Sequence, residues 1–311
     1  MQSAHGYINI LPALPKVWEA TGEVTGMKAI GNFTVGFNWQ DGKAQKVTIV
    51  SNAGAELKVR CKRGAMDIAK AKITVNGAEV GVLVSDNGIA CIPCEKGQTV
   101  VIDFTAESSL PSTKFVEVEI SEYNYATFYA NEAMTVPENV TAYVATTVPE
   151  IEDGVGTISM TAIDDDVVPA NTGALIHGEK GKYIFTETSA SGTPVTGNML
   201  LGYAGAEEYE EVALPTDGST NYILGVKDGK VGFYRKDEAF KVYNHKAYLN
   251  LPASAAGARA IYFDFGGETG IDEVKTENGS VKTDMYDLAG RRVKQLQKGV
   301  YIVNGKVRVV K

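Results

Sequence analysis

The residues able to do chemistry are few and widely spaced. His5, His177 and His245 are the three histidines, and none stands in an H-E-x-x-H or comparable spacing that would put two imidazoles on one metal ion. No G-x-S-x-G turn presents a serine nucleophile. Lone histidines in β loops serve as surface or packing residues, and these are expected to do so. Cys61, Cys91 and Cys94 are too few, and odd in number, for a disulfide framework. The CIPC of residues 91–94 has redox spacing, but Pro93 and the strand-like GIACIP and QTVVIDF around it point to structural cysteines. A zinc site would need two ligands more than that pair, and Cys61 alone cannot supply them. Asp164-Asp165-Asp166 and EEYEE at 207–211 lack the D-x-D-x-D-G order of a calcium loop and are expected to be solvated. Glycoside hydrolysis needs only two suitably placed carboxylates, which 38 acidic residues offer trivially and spacing cannot single out. No catalytic residue, cofactor or metal is therefore assigned.

The elements that would have to position any such group are strands. Helical periodicity is nearly absent, while alternating β-branched and aromatic runs recur from Gly26 to Lys311. Asp41-Gly42, Asn76-Gly77, Asp228-Gly229 and Asn304-Gly305 each lie between two such runs and supply the positive φ that a two-residue hairpin turn requires. The expected fold is all-β: two β-sandwich-like domains followed by a small C-terminal β tail unit. Polar residues 107–114, ESSLPSTK, read as a linker, and 266–283, GGETGIDEVKTENGSVKT, as a second break. That places one domain at 1–107, a second at 115–265 and the tail unit at 272–311. In YNYATFY, residues 123–129, Tyr123 and Tyr125 are expected to share one strand face and to pack in a core rather than form a sugar platform.

Composition limits the partners. A net charge of −8 with scattered Lys and Arg argues against nucleic acid. No apolar run approaches the ~20 residues of a transmembrane helix, and residues 1–30 lack the pattern of a secretory signal.

The start of the chain, QSAHGYINILPALPKVW followed by GEVTGMKAIGNFTVGFNWQDG, resembles the C-terminal part of glycoside hydrolase family 95, the inverting α-L-fucosidases and their relatives. Ile10, Leu11, Pro12, Ala13, Leu14, Pro15 and Trp18 carry the first block of that resemblance. Gly22, Val24, Gly26, Ala29, Gly31, Phe33, Trp39 and Gly42 carry the second. Family members often place a His directly after Gln-Ser, where this chain has Ala4 and then His5; Ile30-Gly31-Asn32 replaces the usual Arg-Gly-Gly. The resemblance implies that residues 1–20 are the exit from an (α/α)6 catalytic barrel, with Ile10, Leu11, Leu14, Val17 and Trp18 packing between barrel and sandwich. It also implies that the catalytic machinery lies upstream, so that Met1 is an internal methionine or the start of a fragment.

The other end, DMYDLAGRRVKQLQKGVYIVNGKVRVVK, looks like the C-terminal sorting tail of type IX secretion in Bacteroidota. Tyr286, Asp287, Leu288, Gly290, Arg291, Arg292, Gly299, Tyr301 and Lys311 carry the pattern. Residues 115–265 are similar to a β-domain that often precedes such tails. These resemblances imply a non-catalytic accessory region of a secreted α-L-fucosidase-like enzyme, inactive alone. Its partners would be the parent's catalytic barrel, the secretion machinery and glycans, at the surface of or outside a Gram-negative cell. A stand-alone carbohydrate-binding or attachment module is the alternative.

Overall fold

The computed structural model describes residues 1–62, 66–255 and 257–265, together with the backbone of three strands between 285 and 310. The chain divides into two compact units, Met1–Phe263 and Asp264–Lys311. It is all-β as expected, helical turns among the described residues being limited to Lys16–Trp18 and Ala253–Ala255.

Period-two alternation builds the first sheet. Phe33, Val35, Phe37 and Trp39 point inward from strand Phe33–Gln40 and are buried, while Asn38 and Gln40 stay in water. On the neighbouring strand, Lys43–Ser51, the inward residues Ala44 and Val47 are three apart. A bulge at Gln45, between the pairs Asn38↔Lys46 and Trp39↔Ala44, restores the phase. Six antiparallel strands follow in the order Thr21–Ala29, Phe33–Gln40, Lys43–Ser51, Thr99–Glu107, Ala71–Val75, Ala78–Glu79. Asp41-Gly42 and Asn76-Gly77 make the predicted turns, with φ of 50° and 72° and of 50° and 84°.

A nine-stranded sheet faces this one and extends beyond it. Its order is Gln2–Ala4, Tyr7–Asn9, Leu57–Arg60, Ile89–Ile92, Leu83–Ser85, Thr113–Ile120, Gly181–Glu187, Met134–Thr135, Val167–Val168. The six-stranded sheet covers its first half over a core of Ile8, Ile10, Val35, Ile49, Leu57, Val59 and Ile92. A four-stranded sheet of Tyr125–Phe128, Ala174–Gly178, Val140–Val144 and Thr161–Ala162 covers the second half. There Val116, Val118, Ile120, Phe128, Ile176 and Phe185 form the core, the two phenyl rings stacked at 4.4 Å. Within the polar stretch expected as a linker, residues 108–112 lie outside the strands and connect Thr99–Glu107 of the six-stranded sheet to Thr113–Ile120 of the nine-stranded one. Strand Thr113–Ile120 pairs in parallel with Leu83–Ser85, and Ser108 N–H and Ser109 N–H donate to the Lys70 carbonyl and the Glu79 carboxylate.

A seven-stranded sheet runs from Glu150–Glu152 through Val155–Ser159, Ala260–Asp264, Lys230–Arg235, Thr220–Lys227 and Lys246–Leu251 to Leu200–Tyr203, and Tyr209–Val212 pairs with Phe240–Tyr243 as a separate two-stranded sheet. Asp228-Gly229 forms the expected hairpin turn. The Tyr123 expectation fails: Tyr123 sits in an exposed turn closed by Asn124 at φ 67°, one residue short of strand Tyr125–Phe128. Tyr125 alone packs, against His177 and Phe263.

In the second unit, Met285–Asp287, Gly299–Val303 and Lys306–Val310 pair as an antiparallel three-stranded sheet. Val303 pairs with Lys306, while Asn304-Gly305 itself lies outside the described residues.

Candidate functional site

The leading segment splits into an anchored half and an exposed half. Ile10 and Leu11 are buried in the first core and Leu14 packs partly against it. Past them, Pro12, Ala13, Pro15, Val17 and Trp18 face solvent, with Val17 84% and Trp18 61% exposed. The exposure is held in place rather than frayed. The Trp39 indole N–H donates to the Trp18 carbonyl at 2.7 Å, and Gly42 N–H donates to the Glu19 carbonyl at 2.8 Å. Gly22 lies under the Trp39 indole, where a Cβ would collide with the ring. The second block of the sequence pattern therefore builds the ledge that presents the first. An apolar run fixed at the surface is the mark of an interaction site.

The histidines are placed apart in role. His5 occupies a left-handed position, φ 55°, in a His5-Gly6 turn joining Gln2–Ala4 to Tyr7–Asn9. His177 stacks on Tyr125 at 4.8 Å, and burial pushes its imidazole down from the ordinary value. His245 sits in the turn between Phe240–Tyr243 and Lys246–Leu251 with φ 59°. Its Nε2 lies 2.7 Å from Asp86 Oδ2 and its Nδ1 3.0 Å from the Tyr129 carbonyl. Both neighbours are acceptors, so both bonds form when each ring nitrogen carries a hydrogen. A catalytic dyad would need the second nitrogen aimed at a nucleophile, and here it is spent on backbone. The hydrogen bond from His245 is the main cause holding the Asp86 carboxyl below the usual range.

Cys61, Cys91 and Cys94 are all buried, and burial pushes the Cys91 thiol up to about 11, far from a reactive thiolate. Asp165 ties its loop to a second one, accepting from Thr193 N–H at 2.6 Å and Thr193 Oγ1 at 2.9 Å. Among the described residues no group of three or more His, Cys, Asp or Glu could hold a metal ion, and no helix is long and apolar enough to cross a membrane.

A cleft of about 520 Å³ opens where the His245 turn meets the outer side of the nine-stranded sheet. It brings together His5, Asp86 and His245 with Lys58, Glu117, Lys182 and Lys246. Sequence spacing carried no signal of this, because the residues come from strands far apart in the chain. Glu117 is bracketed by Lys182 at 2.6 Å and Lys58 at 3.6 Å, and Lys58 also reaches Glu56 at 3.4 Å.

Of the tail pattern, Tyr286 and Asp287 fall on Met285–Asp287, and Gly299 and Tyr301 on Gly299–Val303, with Tyr286 opposite Ile302. Leu288, Gly290, Arg291, Arg292 and Lys311 lie outside the described residues.

Comparison with known proteins bears on the first third of the chain. Residues 2–102 match the family model for the glycoside hydrolase family 95, C-terminal domain. No curated protein matches the chain.

Proposed function

We propose that this chain is the non-catalytic C-terminal accessory region of a secreted glycoside hydrolase of the α-L-fucosidase type, its sandwich docked on a catalytic barrel. The observation that carries the reading is the pairing of the family match over residues 2–102 with the exposed segment Pro12–Trp18. An accessory sandwich that follows a barrel must leave apolar surface at the junction, and the wet side chains are those next to the buried Ile10 and Leu11. Each large apolar side chain left in water forgoes roughly 1.5–3 kcal/mol of burial, which a docked barrel would recover.

The same reading takes residues 272–311 as a type IX sorting tail and the protein's location as the cell surface or exterior of a Gram-negative bacterium. Its support is the Tyr286 to Lys311 sequence pattern and the separateness of Asp264–Lys311 as a compact unit.

A stand-alone glycan-binding module would call for exposed rings, and Tyr209 and Tyr243 are exposed partners across two strands. Their rings stand at 63° and the Lys241 ammonium lies 3.9 Å from the centre of the Tyr209 ring, so they offer no flat platform for a pyranose. Sequencing the DNA upstream of the Met1 codon separates the readings. An open frame encoding a barrel and a signal peptide is expected, whereas a stop codon preceded by a ribosome-binding site would overturn the accessory reading.

A further inference from the structure

The 520 Å³ cleft between the His245 turn and the outer side of the nine-stranded sheet brings three carboxylates and three lysines together. Its three carboxylates are all committed: Glu56 and Glu117 to Lys58 and Lys182, and Asp86 to His245. Lys246, which also lines the cleft, makes no side-chain hydrogen bond or ion pair among the described residues. We propose that this cleft binds a uronic acid residue of an acidic glycan, the sugar carboxylate pairing with the Lys246 ammonium.

Three features fit a carboxylated sugar. The volume suits a mono- or disaccharide and falls in the range of small-ligand sites. The wall mixes charged side chains with apolar ones such as Ile89 and Phe115, as a sugar with polar edges and an apolar ring face requires. Donors for ring hydroxyls stand beside the lysine. The Asn244 carboxamide accepts from Gly205 N–H through its oxygen, and the Asn87 carboxamide accepts from Ser85 Oγ, leaving both NH2 groups uncommitted on the cleft wall. Burial pushes the Lys246 amine below the ordinary lysine range, and Glu119 only partly opposes this. A desolvated ammonium of this kind gains most from a carboxylate brought within hydrogen-bond distance. The inference stands on the cleft alone and does not depend on the enzyme reading.

The test is calorimetric titration of the full chain with D-galacturonate and D-glucuronate, against D-galactose and acetate as probes that keep only the ring or only the charge. The expected result is saturable binding of at least one uronate, weakened about tenfold or more for both control probes. Lys246→Met, which keeps the aliphatic stem, should lose at least about tenfold in uronate affinity while keeping the wild-type unfolding midpoint. Absence of saturable uronate binding overturns the proposal. So does equal affinity for galactose or acetate, or undiminished affinity in a folded Lys246→Met protein. If that variant does not fold, the four-probe comparison on the wild type decides alone.

Discussion

Trp18 and Ile10 belong to one sequence block, yet the fold treats them oppositely, one 61% exposed and the other fully buried. Their substitutions should therefore separate. Ile10→Ala opens a cavity in the first core and is expected to cost about 2–5 kcal/mol. Val17→Thr with Trp18→Gln removes side chains that touch little, and should move the stability of this chain by about 0.5 kcal/mol or less at each position. Urea unfolding measures both. A large loss in the Val17/Trp18 double variant would mean that the ledge is internal structure and not a docking surface. Asp86 makes a second prediction. Its carboxyl is held below the ordinary range, chiefly by the His245 hydrogen bond, so the folded state binds that proton less readily than the unfolded chain. The stabilisation is present above the ordinary Asp value and is lost as pH falls through the depressed one. Unfolding curves of wild type and Asp86→Asn should converge as pH is lowered from about 6 to about 3, and curves that stay parallel would refute the assignment.

Among the elements, what was legible in sequence is what is local. Asp41-Gly42, Asn76-Gly77 and Asp228-Gly229 turn as their dipeptides dictate, and alternation such as FTVGFNW told which side chains face the core. Three two-residue turns among the described residues escaped. Asp153-Gly154 joins Glu150–Glu152 to Val155–Ser159, but its flanks are all exposed on one strand and show no apolar alternation. His5-Gly6 and Asn244-His245 place histidines in the left-handed region, where Asn or Asp is the usual signal. The nine-stranded sheet was illegible for a different reason: its parallel pairing of Leu83–Ser85 with Thr113–Ile120 is long-range, and no local pattern encodes a partner. The same non-locality hid the cleft. Gly22 tests how the ledge is built. Gly22→Ala drives a methyl into the Trp39 indole, and the expected destabilisation is about 1–3 kcal/mol by thermal or urea unfolding. A neutral substitution would show that Trp39 can tilt away without disturbing the Trp18 carbonyl it binds.

At the scale of the whole molecule, the first unit is a β assembly that presents an apolar ledge and a cleft lined by charged side chains. His245 spends both ring nitrogens on acceptors and Cys91 is a buried, unreactive thiol. On the proposed reading, hydrolysis belongs to the parent's catalytic barrel, and this chain adds a docking surface, an address and a glycan contact. The most direct measurement is an assay of the purified chain on aryl α-L-fucosides and fucosylated oligosaccharides. The account predicts no turnover above background, and turnover that persists through repurification would contradict it.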